Sequence, residues 1–129
     1  MATADITAVR HPKKGAMPPA VAQQLAADRR AARAAQRAGD TGEAWRLLER
    51  AHILSQPWAW PHVRSHLDML GLALWTRDGR EIVGQVFRTI VAGPGSAMGR
   101  YPRGNTGRAN VPATQPMPVP DDLAALLDG

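Results

Sequence analysis

The sequence contains no cysteine. Disulfides, thiolate zinc sites, iron–sulfur clusters and cysteine nucleophiles are therefore excluded, and any metal must be held by imidazole, carboxylate, thioether or water. No apolar run approaches the roughly 20 residues of a membrane-spanning helix. The opening Met1-Ala2-Thr3-Ala4-Asp5 carries no apolar stretch of secretion-signal length. The expected address is the cytoplasm, with no membrane partner. Acidic residues are outnumbered, 11 against 16 basic ones, and seven of the 16 lie before residue 38. Such a surplus can serve an anionic partner such as nucleic acid, but arginine on alanine-rich helices is more often a solvated face.

What is present is an ordinary globular composition. The 129 residues are 44% hydrophobic and 21% charged, enough for one domain with a modest core. Residues 1–18 read as a flexible leader, with His11 exposed and without a role, ending in Pro18-Pro19, which suits a helix start. From Pro19 to Ala38 the chain is rich in Ala, Arg and Gln, and a first helix is the natural expectation. Asp40-Thr41-Gly42-Glu43 reads as a capping box opening a second helix, with Ala44, Leu47, Leu48, Ala51 and Leu54 inward and an end near Gln56, before Pro57. Pro61 fits the first turn of a third helix whose apolar face is Val63, Leu67, Leu70 and Leu74. Asp78-Gly79-Arg80-Glu81 opens a fourth, ending near residue 92, with Ile82, Val83, Val86, Phe87 and Ile90 inward. Residues 93–120 hold five glycines and six prolines and read as a loop segment, with Met117 and Leu123 as apolar anchors; Asp121-Asp122-Leu123 then begins a short final helix.

The expected fold is thus all-α: a domain of two helical hairpins over residues 19–92, followed by a Gly/Pro-rich tail over 93–129 that packs on it. The two capping boxes lie 38 residues apart. In that register Glu49 and His52 of the second helix fall on Phe87 and Ile90 of the fourth, so polar groups stand where the sister unit carries hydrocarbon. The hairpins are loosely similar to tetratricopeptide-type repeats.

Three of the four histidines lie in the stretch Glu49 to His66, where the second and third helices meet at a proline-bounded turn. His62 and His66 are four apart and share a helix face; Glu49 and His52 have the Glu-x-x-His spacing of carboxylate-bridged metal bundles. If the two helices are antiparallel about Ala59, His52 stands opposite His66. Glu49, His52, His62 and His66 are therefore the candidate ligands of one divalent ion, with zinc, copper, nickel or iron suited to imidazole and carboxylate. Met69 is a further ligand if the ion is copper(I), and Glu49 is alternatively a base beside a hydrolytic ion. The competing reading makes each histidine a core residue hydrogen-bonded to a neighbour, with Trp45, Trp58 and Trp60 packed around the turn. A second candidate is the loop Arg103-Gly104-Asn105-Thr106-Gly107-Arg108, whose amides and guanidinium groups suit a phosphate; otherwise its turns lay the tail over the helices.

At Leu48 to Gln56, His62-Val63-Arg64-Ser65-His66, Gly104-Asn105-Thr106-Gly107 with Ala109-Asn110-Val111, and Pro116 to Pro120, the sequence resembles the bacterial domain-of-unknown-function 3703 family. The resemblance spans most of the chain after residue 20. It implies a compact bacterial protein and no established activity. The functional expectation is a metal-binding accessory protein; the alternative is a non-catalytic helical adaptor for a partner protein, and the third a phosphate or nucleic-acid binder. A protein partner or a homo-oligomer is expected as the company the chain keeps.

Overall fold

The computed structural model describes residues 15–129, so the leader expected over residues 1–18, His11 included, lies outside the described residues up to residue 14. Five helices follow in order: α1 (Pro19–Arg37), α2 (Thr41–Ser55), α3 (Ala59–Thr76), α4 (Gly79–Ala97) and α5 (Asp121–Asp128). The protein is all-α. α1 packs on α2 and α3 on α4 as two hairpins, α2 joins them by packing on α3, and α5 lies against α1 and α2.

Both internal caps form, but only by half. Asp40 Oδ1 accepts from Glu43 N and Asp78 Oδ1 from Glu81 N, each at 3.2 Å. The returning glutamate of each box is engaged elsewhere: Glu43 forks with Arg46 at 2.6 and 2.7 Å, and Glu81 takes Arg108 Nε at 2.6 Å. A charge-assisted pair outcompetes a bond to a neutral amide.

The apolar core falls into two clusters. Trp45, Leu47 and Leu48 of α2 meet Met69, Leu72 and Ala73 of α3 in one. In the other, Val21, Ile53, Leu54 and Trp58 enclose Leu123 and Leu127 of α5, so the final helix is held by core packing. Each fully buried aliphatic side chain contributes about 2 kcal/mol from area alone. His52 falls between Leu48 of the first cluster and Ile53 of the second.

The hairpin α3–α4 departs from expectation in which side faces in. Leu67 and Leu74 are exposed, and the buried face of α3 is His62, Ser65, His66, Met69, Leu72 and Ala73. Val83, Val86, Phe87 and Ile90 of α4 are likewise exposed; its buried stripe is Glu81, Gln85, Arg88, Ala92 and Ser96. Periodicity locates two opposed stripes on a helix, and the apolar one is inward only when core burial decides the rotation. Here the polar stripe is inward, and its groups find partners across the hairpin. Trp60 is also exposed rather than packed at the turn. The contrast with Phe87 and Ile90 therefore fails: those positions face out, whereas His52 is buried. Finally, α4 runs to Ala97 through Pro94, past the expected end near residue 92. Pro94 forfeits one ladder bond at an exposed position, and the helix closes beyond it with Met98 N on Pro94 O at 3.1 Å.

Candidate metal centre

Two helices bring the three imidazoles to one point. His52 comes from the last turn of α2, His62 and His66 from successive turns of α3, and all three are buried. Their Nε2 atoms form a triangle with sides of 3.0, 3.1 and 3.2 Å.

The opposite nitrogen of each ring decides where the protons are. His52 Nδ1 lies 2.7 Å from the carbonyl oxygen of Asn105, which can only accept. His66 Nδ1 lies 2.7 Å from Gln85 Oε1. The Gln85 amide nitrogen donates to Glu81 Oε2 and to Gly107 O, so its oxygen is the atom that faces the ring. His62 Nδ1 lies 2.6 Å from Ser96 Oγ, and that hydroxyl donates its own proton to Gln56 O at 2.6 Å. In each case Nδ1 must donate. A neutral imidazole carries one N–H, so all three Nε2 atoms are left as bare lone pairs aimed at one another.

Burial and mutual repulsion hold this state at neutral pH. Burial, and after it the charge of a neighbouring His66, push the His62 imidazole down to about 3; burial takes the His66 imidazole to about 4 against the Gln85 hydrogen bond that raises it. His52 is pushed well below its usual range by burial and then by its two neighbours. No proton must therefore be displaced before a cation can bind.

The triangle fits an ion. With metal–nitrogen bonds of about 2.0–2.1 Å, ligands stand about 3.4 Å apart around a tetrahedral ion and about 2.9 Å apart on one face of an octahedral ion. The observed sides fall between these values. The Nδ1 acceptors supply the orienting hydrogen bonds that metal-ligating histidines need.

The family model described as "Protein of unknown function (DUF3703)" matches residues 19–127. The chain belongs to that family. The match encloses the three histidines and all three acceptors of their Nδ1 protons, so the triad is built entirely from the DUF3703 region. No curated protein and no solved structure matches the chain.

Glu49 is not part of this DUF3703 cluster, which comprises His52, His62 and His66. Its Oε1 lies 3.3 Å from Arg108 Nη1, and burial raises its pKa more than Arg108 lowers it. One turn of helix carries Glu49 toward the tail while His52 points into the hairpin. Met69 is buried in the first core cluster.

The Arg103–Arg108 loop spends its donors within the protein. Arg103 forks onto Asp128, Gly104 N donates to Gln56 Oε1 and Gly107 N to Asn105 Oδ1. Arg108 pairs with Glu81 and Glu49 and stacks 3.8 Å from the Trp45 ring centroid. What the loop does is cover His52. Gly107, at φ +81°, lies flat on that ring: a Cβ there would stand 2.8 to 3.0 Å from three of its atoms. At Gly104, φ +80°, a Cβ would overlap Met117 O at 1.9 Å. Both positions require glycine.

Gln85 and Ser96 were not recognised in the sequence as partners of the histidines. The signal is the polar and small-residue spacing 81, 85, 88, 92, 96 along α4, legible as a stripe but overshadowed by the apolar one. The triad opens onto a cavity of about 950 Å³, walled by Phe87, Val91, Tyr101 and Pro102 and bordered by Arg88 and Arg100. Among the described residues no acidic side chain lines it. Among the described residues no helix is long and apolar enough to cross a membrane.

Proposed function

We propose that this DUF3703 protein binds one divalent transition-metal ion on the Nε2 atoms of His52, His62 and His66, with the remaining coordination open to the cavity. The observation that carries the reading is the orientation of the protons: each Nδ1–H is committed to an acceptor, so three lone pairs meet at 3.0 to 3.2 Å with no hydrogen among them. A hydrogen-bonded staple explains one nitrogen of each ring and leaves the other three opposed. A cation satisfies all three at once.

Three imidazoles without a carboxylate or thiolate suit zinc, copper(II), nickel or iron(II), and the triangle accommodates tetrahedral or facial octahedral geometry. The copper(I) variant loses its support, since Met69 is not a wall of the cavity. Among the described residues no carboxylate lines the cavity beside the open position, so the reading is the holding or transfer of metal, without Glu49 as a base.

The test is metal analysis of protein prepared without a histidine tag, incubated with zinc and dialysed, beside the His52→Ala/His66→Ala double variant. One equivalent in the parent and almost none in a variant that keeps its helical circular dichroism is the expected result. Equal, negligible metal in both removes the proposal.

A further inference from the structure

Among the described residues ten large apolar side chains stand open to solvent, and none of them belongs to α1, α2 or α5. On α3, Trp60, Leu67 and Leu74 follow one another at seven-residue spacing along one line, beside Trp75. On α4, Val83, Val86, Phe87, Ile90 and Val91 make the matching line, extended by Met98 just past the helix end. Because α3 and α4 form one antiparallel hairpin, the two lines make a single face.

That face is nearly free of charge. Arg64 is the one charged residue among the exposed positions of α3, and beyond Arg80 the exposed positions of α4 carry none. The contrast with α1, which exposes Arg30, Arg33 and Arg37, is sharp. The exposed area is on the order of 1,000 Å², against 300–600 Å² for the largest apolar patch of an ordinary monomer and about 800 Å² per partner in a standard stable interface.

We propose that this face is covered by a second copy of the chain, the two α3–α4 hairpins packing about a two-fold axis as a four-helix layer. Three observations favour a copy over an unrelated partner. The face offers no charge pattern for a different protein to recognise. With Arg64 the one charge among the exposed positions of α3, a copy meets little like charge there, although the whole chain carries a net charge of +5. Two antiparallel helices of 18 and 19 residues match a copy of themselves in length along the whole face. Phe87 and Val91 belong both to this face and to the wall of the cavity in front of the triad, so the second copy also roofs that cavity. The ligand triad itself is complete within one chain.

The mass of the full chain, measured by light scattering during size exclusion at micromolar concentration, tests the pairing. The expected mass is twice 13.9 kDa, 27.8 kDa, in buffer with and without chelator, which separates this result from the fate of the metal reading. Phe87→Glu/Ile90→Glu, both at exposed positions, should give 13.9 kDa with the helical signal retained. A parent that is monomeric, one that is soluble only with lipid vesicles, or a double variant that stays dimeric overturns the proposal. Because the chain lacks cysteine, Val91→Cys reports on the roof. Its reaction with a charged thiol reagent should be at least tenfold slower than in the Phe87→Glu/Ile90→Glu background; equal rates show the cavity mouth uncovered and overturn the roofing.

Discussion

Removing the metal and lowering the pH should destabilise this protein steeply, and the size of the effect follows from the triad. Each of the three imidazoles has a folded pKa below its ordinary value of 6.5, with His62 near 3 and His66 near 4. The unfolded chain therefore binds more protons than the folded one below pH 6.5. Stability is whole above that pH and declines as the pH falls, until the folded imidazoles themselves titrate near 4 and 3. At pH 5 each unfolded imidazole gains about 2 kcal/mol from protonation, whatever the folded pKa provided it lies well below 5, so the three together remove about 6 kcal/mol. Whole domains are stable by about 5–15 kcal/mol. The metal-free protein should thus lose roughly 20 °C in Tm between pH 7.5 and 5, at about 4 °C per kcal/mol. Urea unfolding followed by circular dichroism at the two pH values measures the same quantity. Metal-loaded protein should resist the drop and then fail abruptly as protons displace the ion. A metal-free stability equal at both pH values to within about 1 kcal/mol refutes the reasoning, because three buried neutral imidazoles cannot be indifferent to acid.

Other perturbations separate the parts of the site. Gly107→Ala should weaken zinc binding about 10- to 100-fold in a competing-chelator titration while the helical signal persists, because the added methyl displaces the His52 ring. Ser96→Ala removes the acceptor of the His62 Nδ1 proton and the donor to Gln56 O; affinity should fall about tenfold, and stability by about 1–3 kcal/mol in chemical denaturation. Glu49→Gln should leave the zinc stoichiometry unchanged, since the carboxylate serves Arg108; loss of the ion in that variant would restore Glu49 to the ligand set.

The helices and the histidine cluster were legible because their signals are local. Alanine-rich composition, the Asp40 and Asp78 caps and the prolines at 57 and 61 mark helix ends within a few residues. The four-residue spacing of His62 and His66 and the antiparallel turn were enough to bring His52 to them. Glu49 stands apart because the three-residue step leaves it about 60° around the helix from His52, where it meets Arg108, 59 residues away. The acceptors at Gln85, Ser96 and the Asn105 carbonyl are long-range partners that no local pattern announces.

The rotation of α3 and α4 was the part least readable, and it bears on both proposals. Turning His62, His66, Gln85 and Arg88 inward while Leu67, Leu74, Phe87 and Ile90 face water is the reverse of what apolar burial alone favours. Hydrogen bonds satisfy most of the buried polar groups, but contribute only about 1 kcal/mol each net of desolvation. They do not offset the loss of several buried aliphatic side chains at about 2 kcal/mol apiece. Two sources of free energy remain to favour this rotation: a cation drawn to the three opposed lone pairs inside, and an apolar surface laid over the hairpin outside. If so, the two are linked. A chain deprived of its ion should dissociate at lower dilution while still pairing at micromolar concentration, and a chain kept monomeric by Phe87→Glu/Ile90→Glu should hold zinc less tightly in the chelator titration. Unaltered zinc affinity in the monomeric variant would show that the inner site stands without the outer face, and that the rotation is held by the hydrogen-bond network alone.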